Sequence, residues 1–146
     1  MTIHALKSLT AELATQLGIR VPIINVVDAP ELSTDTQMGG ADPVGWAIAV
    51  KRGIPDLDQA LTLSHEIRHL WQSIHMPEAF RDYVQLSNRP TLEDYNLQPA
   101  EIDANAFALI IMTNFFHVRP LFQNLSDNAR SQIEQRAKQI DEEAII

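Results

Sequence analysis

Cysteine is absent from the 146 residues. Disulfide scaffolds, thiolate zinc fingers, iron–sulfur clusters and thiol nucleophiles are excluded with it, so any metal must be held by histidine and carboxylate. Basic side chains are scarce: eleven Lys and Arg stand against nineteen Asp and Glu, a formal net charge of −8 with no basic cluster. Duplex DNA or RNA is therefore a poor direct partner. Long apolar runs are missing too, since Phe107 to Met112 falls far short of a membrane span and Met1-Thr2-Ile3-His4 opens no signal sequence. The expectation is a cytoplasmic protein with no membrane partner. With only five Gly and eight Pro in a chain 45% hydrophobic and 21% charged, collagen-like, low-complexity and disordered classes drop out. What is left is one globular domain over residues 1–146, long enough to bury a core without staples.

The apolar periodicity orders that domain as α+β, mostly helical, with a small sheet ahead of a central helix. Ile3, Leu6, Leu9, Leu13 and Leu17 mark a first amphipathic helix that Gly18 closes. Val21 to Val27 reads as a buried strand, with Pro22 at its start. Asp28 to Val44, rich in Gly, Pro, Ser and Asp, reads as the longest loop, with Gly39-Gly40 as a candidate lid. Gly45 to Lys51 alternates large and small residues as a half-buried strand does. A helix from Leu57 to Ile74 follows, with Asp56 as N-cap, Gln59 completing a capping box and Pro77 as its stop. Glu78 to Leu86 is a short helix or turn, and Ser87 to Gln98 a polar loop. Pro99 opens a long helix to Phe116, and a last helix after Ser126 carries Ile133, Ala137 and Ile140 as its apolar stripe.

The chemistry sits in the central helix. His65-Glu66-Ile67-Arg68-His69 is an H-E-x-x-H sequence, whose two imidazoles share a helix face and can grip one ion. With His65 at zero on a wheel of about 100° per residue, His69 falls near 40° and Gln72 near −20°. Leu63, Ile67, Leu70, Trp71 and Ile74 gather on the opposite side, so one face packs and the other faces a cleft. Glu66 flanks the ligand face, where a carboxylate can take a proton from water. Catalytic zinc usually has three protein ligands. Glu101 is the candidate for the third, because Ala104 and Ala108 keep its helix face small enough for a close approach. Asn105, one turn on, can hydrogen-bond a ligand imidazole on its far nitrogen, and Gln72 shares that function by its place on the wheel. Asp103 points about 200° away from Glu101 and reads as a surface acid. Met112 and Phe116 read as core.

At these residues the chain resembles a known group. H-E-x-x-H followed by Glu101-Ile102-Asp103-Ala104-Asn105-Ala106-Phe107-Ala108 looks like the Glu-zincin metallopeptidases of the ImmA/IrrE type and related small phage-encoded metallopeptidases. The resemblance covers roughly Gly45 to Phe116 and implies a zincin-like domain with Zn2+ bound by His65, His69 and Glu101, with Glu66 as catalytic base. It also implies a protein or peptide substrate, in that family commonly a transcriptional repressor. The run Leu70-Trp71-Gln72 departs from many of these relatives and points toward a sister family.

The resulting expectation is peptide-bond hydrolysis by water activated at zinc, with Glu66 as general base. An oxyanion donor is also needed. Tyr95 is the favoured candidate among Tyr95, Tyr83, His75, His117 and Arg119, with a packed aromatic as its competing role and a surface histidine as that of His75. Zincins receive an extended peptide on an edge strand, here assigned to Trp46, Ala47, Ile48 and Ala49, with Trp46 in the core as the plainer role. Two rivals keep the zinc. A binding protein or antirepressor would work by contact, though it has no use for an unliganded base at Glu66; a hydrolase of a non-peptide amide would change the substrate alone. The oligomeric state is left open by the sequence.

Overall fold

The computed structural model describes residues 1–28, 32, 37–85, 88, 90–122 and 124–144. The protein is α+β: a small three-stranded sheet packs on a helical layer. Helix α1 (Ile3–Leu17) begins where the Thr2 hydroxyl accepts from the Ala5 N–H and ends at Gly18, whose φ of 68° lets its N–H reach back to the last turn. Strands β1 (Ile23–Val27), β2 (Gly39–Asp42) and β3 (Ala47–Lys51) form a sheet in the order β1-β3-β2. The β1/β3 pair is parallel, and β2/β3 is antiparallel with Gly39 opposite Val50.

Two sequence expectations change here. Strand β2 lies inside the expected loop from Asp28 to Val44, much of which falls outside the described residues. Its residues, Gly-Gly-Ala-Asp, have poor intrinsic strand preference, so pairing with β3 rather than local propensity makes them extended. The strand built on Ala47, Ile48 and Ala49 was expected at an edge, yet it is central, with both edges paired. Trp46 precedes it at φ 54°, buried, with its indole N–H donating to the Arg20 carbonyl at 2.8 Å. β1 is itself an edge strand, burying Ile24 while Ile23 stays exposed.

Helix α2 (Asp56–His75) carries the H-E-x-x-H sequence across the sheet. Pro55, not Asp56, occupies the N-cap position, and no side chain caps the helix. Asp56 and Gln59 instead hold the Met1 ammonium group, which removes them from the expected capping box. After Met76 comes a 3₁₀ turn, Pro77–Phe80, and the expected polar loop contains helix α3 (Leu92–Asn96), capped by the Thr91 hydroxyl. Leu86, Ser87 and Arg89 lie outside the described residues. Helix α4 (Pro99–Phe115) is buried nearly all round, between α2 and α5 (Asp127–Ala144), whose Ala129, Ile133, Ala137 and Ile140 close the core. Among the described residues no helix is long and apolar enough to cross a membrane.

Candidate metal centre

α2 packs on α4. Ala104 and Ala108 are fully buried, which brings Glu101 onto the imidazoles of α2. The Glu101 carboxylate lies 3.2 Å from His65 Nε2 through one oxygen and 2.8 Å from His69 Nε2 through the other. The two Nε2 atoms are 3.1 Å apart. Three ligand atoms from His65, His69 and Glu101 therefore converge on one point. Tetrahedral zinc with bonds of about 2.0–2.1 Å separates its ligand atoms by roughly 3.3 Å, a small expansion of this cluster.

Hydrogen bonding behind the rings fixes their tautomers. His69 Nδ1 lies 2.7 Å from Gln72 Oε1, while Gln72 Nε2 donates to the Ala100 carbonyl at 2.9 Å and to Asp103 at 2.8 Å. Neither of those partners can donate back, so the amide cannot be reversed and Nδ1 of His69 must carry the proton. Asn105 Oδ1 lies 2.8 Å from His65 Nδ1 and, as placed, accepts from it, without the second pair of acceptors that pins Gln72. Both Nε2 atoms then face each other and an anionic carboxylate, a cluster that a cation, either protons on the rings or one metal ion, would neutralise. That donor chemistry fits Zn2+.

Protons are the competing cations at this cluster. Burial alone would raise the Glu101 carboxyl, but the two imidazoles outweigh it and hold this acid well below the usual carboxylate range. Burial would likewise depress His69, yet its bond to Glu101 lifts it to about 9, and His65 also moves up. Glu66 is different. Desolvation raises its pKa, the histidines only partly offset that, and it has no place among the three converging ligands.

Above the cluster is a cleft of about 550 Å³, lined by Gly40, Ala41, Glu66, His69, Tyr83 and Tyr95 among others. Gly39 sets its rim. A Cβ there would stand 2.5 Å from Thr62 Cγ2 and 2.6 Å from the Ala49 carbonyl, so only glycine lets β2 lie this close to α2 beside Glu66. Lys51 N–H donates to Met38 O at 2.8 Å, and this register turns the backbone groups of Gly39 and Ala41 away from β3 toward the side on which no described strand pairs with β2. On that side Gln37 Nε2 donates to Gly39 O at 2.6 Å.

Tyr83 and Tyr95 both line the cleft and both interact with Glu101. The Tyr83 hydroxyl is 3.0 Å from Glu101 Oε2 and 3.1 Å from the Tyr95 hydroxyl, and burial beside Glu101 raises both phenols. His75 stacks on Trp71 away from the cluster. Arg119 pairs with Glu134 on the surface.

Asp103 overturns its expectation as a surface acid. It is 1% exposed and bonded to Arg68, Arg136 and Gln72, because α5 covers the side of α4 that a single-helix wheel leaves open to water. Arg68, buried, lies with its guanidinium 3.6 Å from the Trp71 ring centre and 5.1 Å from that of Phe107. Met112 is core as expected, and Phe116 packs against the core. Comparison with protein-family models, with curated proteins and with solved structures finds no match to this chain.

Proposed function

We propose that this protein is a zinc-dependent metallopeptidase with a zincin-like fold, cleaving a peptide bond in a protein or peptide substrate. The observation that carries the reading is the convergence of two Nε2 lone pairs and one carboxylate beside a carboxylate, Glu66, that is not in the ligand set. Zinc held by His65, His69 and Glu101 would supply acidified water and a polarised carbonyl. Glu66 takes the proton from the attacking water and delivers it to the leaving amine, a task suited to a carboxyl whose pKa burial has raised. β2 supports a peptide substrate, since the N–H of Gly39 and the N–H and C=O of Ala41 point away from β3 on the side where no described strand pairs with them, beside a cleft that Glu66 lines. This moves the substrate strand from Trp46–Ala49 to β2. Tyr83 and Tyr95, both lining the cleft and both interacting with Glu101, are the hydroxyls placed for a developing oxyanion.

Metal analysis tests the ligand set: the parent should carry one equivalent of zinc and His69→Ala very little, and equal content in the two would sink it. Glu66→Gln should keep the metal and lose about 10²–10⁴-fold in cleavage of a casein or peptide-library substrate. Cleavage by that variant at the parental rate would place the base elsewhere.

A further inference from the structure

Asp103 lies on the far side of α4 from the cleft, yet it touches the group that holds His69. Its Oδ2 accepts from Arg68 Nε at 2.7 Å and Gln72 Nε2 at 2.8 Å; its Oδ1 accepts from Arg68 Nη2 at 3.1 Å and Arg136 Nε at 2.8 Å. Four donors occupy the four lone-pair directions of one carboxylate. Arg68, Gln72 and Asp103 are each less than 5% exposed, so no solvent substitutes for a lost partner. Three helices meet here, with Arg68 and Gln72 from α2, Asp103 from α4 and Arg136 from α5.

The Gln72 carboxamide has two possible orientations, and only one serves a metal. With its oxygen toward His69, Nδ1 is the donor and Nε2 keeps its lone pair; with its nitrogen toward His69, Nδ1 must accept and a neutral ring carries its proton on Nε2, where it cannot ligate. The Ala100 carbonyl and the Asp103 carboxylate both demand the first orientation. We infer that Asp103 is a positioning residue for the metal centre: through Gln72 it fixes which nitrogen of His69 carries the proton, and so keeps Nε2 available as a ligand. The two arginines stabilise the buried charge that this task requires, and Arg136 brings α5 into the support of a site that α5 never reaches. The inference rests on the metal-centre reading above and does not depend on which bond is cleaved.

Zinc affinity by chelator competition, measured per folded molecule, tests it in the parent, in Asp103→Asn, in Gln72→Ala and in the two combined. Asp103→Asn sets an NH2 against one of its four donors and removes one of the two acceptors that hold the Gln72 amide in place, so affinity should fall about 10–100-fold. Because Asp103 acts through Gln72, adding Asp103→Asn to Gln72→Ala should cost little more. An Asp103 that served the fold alone would leave affinity per folded molecule unchanged in the single variant, and one that acted by another route would add its full loss to that of Gln72→Ala; either result overturns the inference. Imidazole nitrogen spectra of the zinc-loaded parent give a reading without any variant. His69 should show a protected Nδ1–H, and ligation through Nδ1 would overturn the inference even where Asp103→Asn does not fold. A parent that binds no zinc overturns the metal-centre reading together with this inference, whereas a zinc-binding parent matched by Asp103→Asn overturns this inference alone.

Discussion

The floor of the cleft and its rim use different parts of the chain. On the floor, α2 and α4 present side chains whose partners are other side chains: His65 with Asn105, His69 with Gln72, and Glu101 with both rings. Along the rim, β2 presents backbone, and its residues matter for how little they project. The floor is thus specified by residue type at helical spacing, while the rim is specified by topology and by the absence of side chains. Damage should follow the same division, with floor variants losing metal and rim variants losing packing or substrate.

Gly39→Val should give the largest effect. Its side chain meets Thr62 and the Ala49 carbonyl inside contact distance, and overpacking of this kind costs about 1–3 kcal/mol, with the added strain toward the upper end. Thermal denaturation should register that loss while zinc content per folded molecule stays at the parental level. Zinc lost in proportion to strand displacement would erase the division between floor and rim.

Asn105→Ala removes the acceptor for His65 Nδ1 and should weaken zinc about 10–100-fold by chelator competition, with the fold intact. Asn105→Asp keeps an acceptor and should weaken it less. Identical affinity for Asn105→Ala and the parent would mean that the bond does not orient the ring.

The smallest effect belongs to the tyrosines. Tyr83→Phe deletes the hydroxyl 3.0 Å from Glu101, a bond worth about 0.5–1.5 kcal/mol, and Tyr95→Phe deletes the hydroxyl that supports it from 3.1 Å away and interacts with Glu101 less closely. Zinc affinity should fall in that order. A greater loss from Tyr95→Phe would show that Tyr95 acts on the cluster by another route.

The same contrast explains what could be read from the chain. Angular arithmetic on two helices was enough to bring His65, His69, Glu101 and Asn105 toward one point, because ligand geometry on a helix is local. It failed for Asp103, whose surroundings are supplied by α5, more than twenty residues further along. Arg136 carried no signal at all. Strand β2 was illegible because its residues have no preference for strands, and the central place of β3 was illegible because pairing is non-local. Helix α3 did leave a mark: Thr91 followed by Asp94 is a helix start whose hydroxyl accepts the Asp94 N–H. The α2 cap misled because Asp56 and Gln59, a plausible box by spacing, serve the terminal amine.

The stacking of Arg68 on Trp71 gives the molecule a built-in optical probe. The chain has two tryptophans, and Trp46 is buried under the Arg20 guanidinium beside β3, while Trp71 lies against a guanidinium that also grips Asp103. Trp71 is the more exposed of the two, so its emission belongs at longer wavelength than that of Trp46. A shift in the red component alone would report rearrangement around Asp103, and a shift in the blue component would report the sheet, without a label on either.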